Sequence, residues 1–314
     1  MTEQQKVAYV FPGQGSQWVG MGRDLYDQFD VARDVFREAD EAVGFALSQL
    51  CFDGPEEELR QTVNAQPAIV TVSLACLKVV QEIDDNQMLP SPAYVAGHSL
   101  GEYTALAAAG VLDSASAIYL ARERGRLMYE AGQQQPGGMV AVIGAEEALL
   151  VEACAETGTQ LANINCPGQL VISGARDKLP DTVELLKSRG VSKTIPLQVS
   201  GAFHTPLMQP AADGLAEVIS SLTFSKAVIP IIANTTAEPL NMAEEIKEEL
   251  LRQLCNCVRW QQSVENMIGG GVATFIEIGP GKVLTGLIKR IDRTVNISNI
   301  GDAEAARSAV SAST

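Results

Sequence analysis

Residues 92–102 read Pro-Ala-Tyr-Val-Ala-Gly-His-Ser-Leu-Gly-Glu: a short apolar strand, then Gly97-His-Ser99-Leu-Gly101, then the opening of a helix. A Gly-x-Ser-x-Gly run between a strand and a helix is what a nucleophile elbow requires, because the sharp turn lifts the Ser oxygen clear of the sheet. At a helix N-terminus, free N–H groups and the helix dipole would stabilise negative charge developing beside Ser99. The same residues allow a plainer reading: Ser99-Leu-Gly-Glu102 fits Ser-x-x-Glu, a capping box that needs no chemistry.

A Ser hydroxyl is a weak nucleophile and needs a base. The chain has two His residues, His98 and His204. Neighbours on a tight turn point different ways, so His98 suits a structural hydrogen bond. His204 lies in Val199-Ser-Gly-Ala-Phe-His-Thr-Pro206, a loop leaving a predicted strand, and is the candidate base. No acid stands out as a third member, since Asp213 and Glu217 sit in helical pattern. The expectation is a Ser–His dyad whose imidazole is oriented by a backbone carbonyl; a distant carboxylate is the alternative. Gln14, in the Gly-rich loop Pro12-Gly-Gln-Gly-Ser-Gln17, could add a donor. Backbone N–H groups of that loop and of Leu100 would suit a tetrahedral oxyanion. The loop lacks the Gly-Lys-Ser/Thr ending of a phosphate-binding loop, and a simple tight turn remains its plain reading. Arg122, Arg124 and Arg126 fall on one predicted helix, where a solvated cluster is the ordinary reading.

The elements that must position these groups follow a strand–helix rhythm. Val7–Phe11 is a continuous apolar strand. Amphipathic helical pattern covers 22–50 and 66–83, Ala93–Ala96 is the strand feeding the elbow, and helices follow over Gly101–Gly110 and Asp113–Ala131. The texture changes at Gln133–Gly138. Strand Met139–Ile143, helix Glu146–Thr157, strands Leu161–Asn165 and Gln169–Ser173, helix Pro180–Arg189 and strand Ser192–Gln198 then give βαββαβ, the split ferredoxin-like unit. Strand Val228–Ala233, helix Ala243–Leu254, strand Thr274–Ile278 and a helix from Lys282 resume the α/β rhythm. The expectation is an α/β core, residues 1–131 and 199–314, interrupted by a ferredoxin-like subdomain at 132–198. Gln14, Ser99 and Gly279 each follow a predicted strand, which places three loops at one rim of the sheet.

The 314 residues, 46% hydrophobic and 19% charged, suit a globular enzyme. A net charge of −15 argues against nucleic acid as a partner. Six Cys residues show no repeated spacing, and Cys255-Asn-Cys257 is too close for an ordinary zinc pair, so buried free thiols and a cytoplasmic setting are expected, with no metal. Met1–Lys6 leads straight into a strand without a secretory pattern, and no apolar stretch approaches a membrane span, so no membrane partner is expected.

Seven motifs recur in order: Phe-Pro-Gly-Gln-Gly-Ser-Gln (11–17), Gly-His-Ser-Leu-Gly-Glu (97–102), Arg-Gly-Arg-Leu-Met (124–128), Asn-x-Pro-Gly-Gln (165–169), Gly-Ala-Phe-His (201–204), Arg-Gln-Leu-x-Asn (252–256) and Glu-Ile-Gly-Pro-Gly-Lys-Val-Leu (277–284). With them the chain resembles the malonyl-CoA:acyl-carrier-protein transacylases from about residue 7 to 291. The resemblance implies an α/β-hydrolase-like core, Ser99 as the acylated nucleophile and His204 as its base. It also implies an oxyanion hole of Gln14 and the Leu100 N–H, and Gln253 as the residue whose carbonyl orients the His. Arg124, and with it Met128 of the same motif, matches the substrate site, the guanidinium gripping the free malonyl carboxylate. A planar guanidinium can do so through two parallel bonds. Phe203 resembles the malonyl-using pattern, and its bulk would crowd an α-methyl, a discrimination worth only about 1–3 kcal/mol. Cys257 stands where the family commonly has Pro.

The activity implied is ping-pong malonyl transfer from malonyl-CoA to the phosphopantetheine thiol of an acyl carrier protein, by a monomer, without a cofactor, in fatty-acid synthesis. The alternatives are a trans-acting acyltransferase of a polyketide synthase, or a Ser–His thioesterase or esterase. A carboxylate clamp counts against a hydrolase, and the joint presence of Ser99, His204, Gln14 and Arg124 counts against a non-catalytic scaffold. An acidic carrier would dock near Lys282, Lys289 and Arg290, which as a plain reading form only a solvated helix end.

Overall fold

The computed structural model describes residues 6–84 and 88–311. The reading that Met1–Lys6 carries no secretory pattern falls almost wholly on residues 1–5, outside the described residues. The chain is mixed α/β and builds two sheets. Strands β1 (Lys6–Phe11), β2 (Tyr94–Gly97), β7 (Ile231–Ile232), β8 (Pro239–Leu240), β9 (Val272–Ile278) and β10 (Asn296–Ile300) form the larger. Strands β3 (Gly137–Ile143), β4 (Gln160–Cys166), β5 (Gln169–Ala175) and β6 (Lys193–Pro196) form the smaller. The larger sheet runs β10-β9-β1-β2-β7-β8, parallel except for the β7–β8 pair; the smaller runs β4-β5-β3-β6, antiparallel throughout.

The central strands of a parallel sheet are covered on both faces and read as unbroken apolar runs. Val7, Ala8, Tyr9, Val10 and Phe11 are accordingly all buried. In the smaller sheet the alternation of side chains feeds two cores. Val140 and Val142 pack with Leu150, Ile172 and Leu186 under that sheet's two helices, while Met139, Ala141 and Val171 join the main core.

The long helix Thr62–Ile83 is buried along most of its length against helix Ser114–Gln134. It is long and apolar enough to cross a membrane by length and composition, which corrects the expectation that no stretch approaches such a span. Gln66, Thr71, Ser73 and Lys78 break its apolar run and hide its mean hydropathy from a search for continuous stretches, and 83% of its most apolar window is buried inside the fold. Pro67 inside it has no N–H to give the Val63 carbonyl. Arg122 supplies the missing donor at 2.8 Å, binds Asn64 Oδ1 at 2.7 Å and stacks over Phe45.

Several elements differ in extent from the sequence reading, among them the helix read over 66–83, which begins at Thr62, and the strand read over Ser192–Gln198, which covers Lys193–Pro196. The pattern over 22–50 is three helices, Arg23–Gln28, Asp30–Val43 and Leu47–Asp53, broken at extended Phe29 and at left-handed Gly44. All three bury residues in the same core, so the periodicity runs on across the breaks. The strand at 228–233 pairs only at Ile231–Ile232, Val228 being 78% exposed. The helix read as ending at Ala131 continues to Gln134.

Candidate active site

The elbow is built by contact between backbones. A Cβ on Gly97 would lie 1.8 Å from the Gly101 carbonyl carbon, and one on Gly101 would lie 2.0 Å from the Phe11 oxygen. Only glycine lets β1, the turn and helix Gly101–Ala108 approach this closely. Ser99 sits at φ +50° and His204 at φ +61°, left-handed conformations that cost a non-glycine residue about 1–3 kcal/mol and persist where the surroundings over-determine them.

The two side chains meet. Ser99 Oγ lies 2.9 Å from His204 Nε2, and His204 Nδ1 lies 2.8 Å from the Gln253 carbonyl oxygen. That carbonyl only accepts, so Nδ1 carries the proton and Nε2 is left as the acceptor facing the hydroxyl. Burial, the Arg124 charge and His98 pull the His204 pKa down to about 3, so the imidazole is neutral at pH 7. The capping-box reading fails: the Ser99 N–H donates to Asn234 Oδ1, the helix begins without a side-chain cap, and Glu102 turns to other partners.

Arg124 is 1% exposed rather than part of a solvated cluster. Nη1 donates to Gln66 Oε1 at 2.9 Å; Nη2 donates to Gln253 Oε1 at 2.8 Å and to Ser99 Oγ at 3.0 Å. The guanidinium lies over the Tyr103 ring, and its Nε has no partner among the described residues. None of their carboxylates is ion-paired with it either. Burial lowers its pKa, but a guanidinium stays charged. Arg126 is the solvated member of the trio, paired with Glu123 and Glu130.

Gln253 joins these parts. Beyond its carbonyl bond to His204 and its bond from Arg124, its Nε2 donates to the Ser99 carbonyl at 2.9 Å and to Glu102 Oε2. Glu102 is buried, and burial beside Glu249 raises its pKa well above the usual carboxylate range. His98 has the structural role expected of it, bonded to Asn165 at 2.8 Å and edge-on to Trp260.

Ser99, His204, Arg124, Gln14, Met128 and Phe203 line one cavity of about 300 Å³. Met139 and Val171 of the smaller sheet line it too, so the cavity lies between the two sheets. The Gly-rich loop is braced by Ser16 Oγ to the Gly13 carbonyl, and Gln14 donates its amide to Thr62 Oγ1 at 3.1 Å. The Leu100 N–H makes no hydrogen bond among the described residues, which leaves it available at the helix start. Among those residues no cluster of three or more His, Cys, Asp or Glu could hold a metal ion. Six Cys residues are free, four of them buried.

Sequence reasoning missed Asn234, Gln66 and the side chain of Gln253. None lies in a strand–turn–helix pattern, and only the position of Gln253 in the Arg-Gln-Leu-x-Asn run was a signal.

The model of the acyl transferase domain matches residues 8–309, which sets the class. A malonyl CoA-acyl carrier protein transacylase of Bacillus subtilis is 46% identical over 304 residues, covering 95% of this chain and 94% of that protein. The Escherichia coli K12 protein of that name is 41% identical over 307 residues, 96% and 98% of the two chains. Among solved structures, an acyl-carrier-protein S-malonyltransferase from Bartonella henselae superposes with TM-score 0.94 at 39% identity, covering 98% and 99% of the two chains. A malonyl-transacylase solved with a type II polyketide-synthase acyl-carrier protein gives TM-score 0.93 at 40% identity, again over 98% and 99%. The chain belongs to the family of malonyl CoA-acyl carrier protein transacylases.

Proposed function

We propose that the protein transfers malonyl groups from malonyl-CoA to the pantetheine thiol of an acyl carrier protein, through a malonyl ester on Ser99, for fatty-acid synthesis. One observation carries the choice of acyl group: a buried guanidinium with no carboxylate partner among the described residues, 3.0 Å from Ser99 Oγ. In a malonyl thioester one methylene separates the free carboxylate from the reacting carbonyl. A cation within hydrogen-bond reach of the nucleophile is therefore at the range that carboxylate needs. A hydrolase of simple acyl groups would have no use for it.

His204 Nε2 takes the Ser99 proton as Oγ attacks the thioester carbonyl. Charge on the tetrahedral oxygen is met by the Leu100 N–H and by Gln14 once its amide leaves Thr62. The C–S bond breaks, the proton passes to the departing CoA thiolate, and malonyl-Ser99 remains. The carrier's thiol then gives its proton to His204 and attacks the ester, the C–O bond to Ser99 breaks, and His204 returns the proton to Ser99 Oγ. Gln253 holds the imidazole tautomer throughout, so no third acid is needed. Every step is a proton or acyl transfer and calls for no cofactor.

In this reading the fold is an α/β-hydrolase-like core, residues 1–131 and 199–314, with a ferredoxin-like subdomain at 132–198. The order β4-β5-β3-β6 with βαββαβ connections supports it. A monomer in the cytoplasm completes the reading. The carrier protein docks at Lys282, Lys289 and Arg290, exposed at the two ends of helix Val283–Ile291, which lines the cavity with Val283 and Leu287.

The test is Arg124→Ala with two donors. Losing two charge-assisted bonds of about 1.5–3 kcal/mol each should cut malonyl kcat/KM roughly 100- to 1000-fold or more, while acetyl loading holds or rises. Equal loss on both donors removes Arg124 from the carboxylate role.

A further inference from the structure

Asn234 lies 135 residues from Ser99 and in none of the motifs above, yet its side chain touches both ends of the turn that presents the nucleophile. Its Oδ1 accepts the Ser99 N–H at 2.7 Å, and its Nδ2 donates to the Gly97 carbonyl at 2.7 Å. One carboxamide thus bridges the last residue of β2 and the residue two further on. Gly97 O can only accept and Ser99 N–H can only donate, so the orientation of the amide is fixed.

The bridge stands on a rigid base. β7 pairs in register with β2, Val95 opposite Ile231 and Ala96 opposite Ile232, so the chain leaving β7 runs alongside the elbow. Asn234 is 2% exposed; its own N–H donates to Glu102 Oε1, and its carbonyl accepts from the Arg259 N–H at 2.8 Å. The loop is closed by Ala233 N–H to Glu238 O and Ala237 N–H to Ala233 O, and Thr235 is tied to Glu249. Left-handed Ser99 is a conformation that something must hold. The Ser99 N–H has this one partner among the described residues and would be unpaired without it.

We infer that Asn234 is a positioning residue for both half-reactions, clamping the Gly97–Ser99 turn so that Ser99 Oγ stays in line with His204 Nε2. The inference rests on Ser99 being the acylated nucleophile. Arg124 also reaches Ser99 Oγ, but its bonds to Gln66 and Gln253 do not involve the Asn234 side chain, so Asn234 should govern the chemical step far more than malonyl binding.

The experiment compares the full chain with Asn234→Ala and Asn234→Asp by single-turnover malonylation, by malonyl-CoA KM, and by labelling with a serine-reactive fluorophosphonate that ignores Arg124. The Asp variant keeps the volume and the acceptor for Ser99 but replaces the donor to Gly97 with an oxygen. In both variants, malonylation and fluorophosphonate labelling should slow together, roughly a hundredfold for a displacement on the order of 1 Å, with KM within about threefold. Whichever variant folds, by circular dichroism and thermal melting, decides the matter. A folded variant that acylates at the wild-type rate, or one whose loss lies in KM alone, overturns the inference. A wild-type chain that forms no acyl-enzyme overturns instead the reading on which it rests.

Discussion

At the scale of single residues, the site separates three tasks that one side chain could confuse. In the proposed mechanism Ser99 attacks, His204 accepts a proton and Arg124 supplies a charge, and all three lie within hydrogen-bond distance of one another or of Gln253. Burial, and after it the cation beside the imidazole, keeps it neutral, which a base must be. With its pKa pulled down to about 3, His204 is protonated only in strong acid. The acylation rate should therefore stay flat from about pH 8 to about pH 5 and fall only below that, because the neutral form reacts and protonation removes it. Arg124→Gln removes a charge that lowers this pKa, so its acid limb should move to higher pH. Single-turnover acetylation across pH reads both. A wild-type limb near the ordinary imidazole value of about 6.5 would contradict the burial argument. Arg124→Lys should not restore malonyl preference, since a point charge cannot reproduce the fork; full restoration would show that charge alone suffices.

At the scale of elements, β1, β2 and helix Gly101–Ala108 meet backbone to backbone, and nothing at that contact can rotate away. Gly101→Ala places a Cβ 2.0 Å from the Phe11 carbonyl oxygen. We expect about 3 kcal/mol or more of destabilisation, seen as a clear fall in Tm together with loss of acylation. An unchanged Tm would mean that the helix can slide off the strand.

This junction was also the part most legible in the sequence. Strand, Gly-x-Ser-x-Gly and helix are contiguous, so local pattern suffices. The βαββαβ order of 137–196 was legible for the same reason, each element carrying its own periodicity. Asn234 and Gln66 were not legible, because their meaning lies in partners 135 and 58 residues away. Strand β10 and helix Ala303–Ser311 escaped because β10 is half-exposed and alternates weakly. Arg124 could be told from Arg122 and Arg126 only through a family resemblance, since helical position alone does not reveal that it is buried.

At the scale of the molecule, the larger sheet carries Ser99 just beyond β2, and the smaller supplies the opposite wall of the cavity through Met139 and Val171. The chain carries a net charge of −15, so an acidic carrier must approach against the overall field. Lys289 and Arg290, exposed near the end of a helix that lines the cavity with Val283 and Leu287, offer local positive charge there, Arg290 bonding the cavity-lining Gln169 at 2.7 Å. Lys289→Glu with Arg290→Glu should raise the carrier-protein KM about tenfold at low salt, less at high salt, and leave malonylation of Ser99 by malonyl-CoA unchanged. Steady-state and single-turnover assays of the double variant separate the two. A carrier KM unaffected at low salt would place docking elsewhere.

The central claim is that Ser99 carries a malonyl group between two thiols. Intact-protein mass spectrometry tests it most directly, after brief mixing with malonyl-CoA or acetyl-CoA and then addition of a holo acyl carrier protein. A malonyl adduct is expected, absent from Ser99→Ala, that moves to the carrier faster than water removes it, with a much weaker acetyl adduct. An adduct lost to water equally fast with or without the carrier, or one that persists in Ser99→Ala, would contradict it.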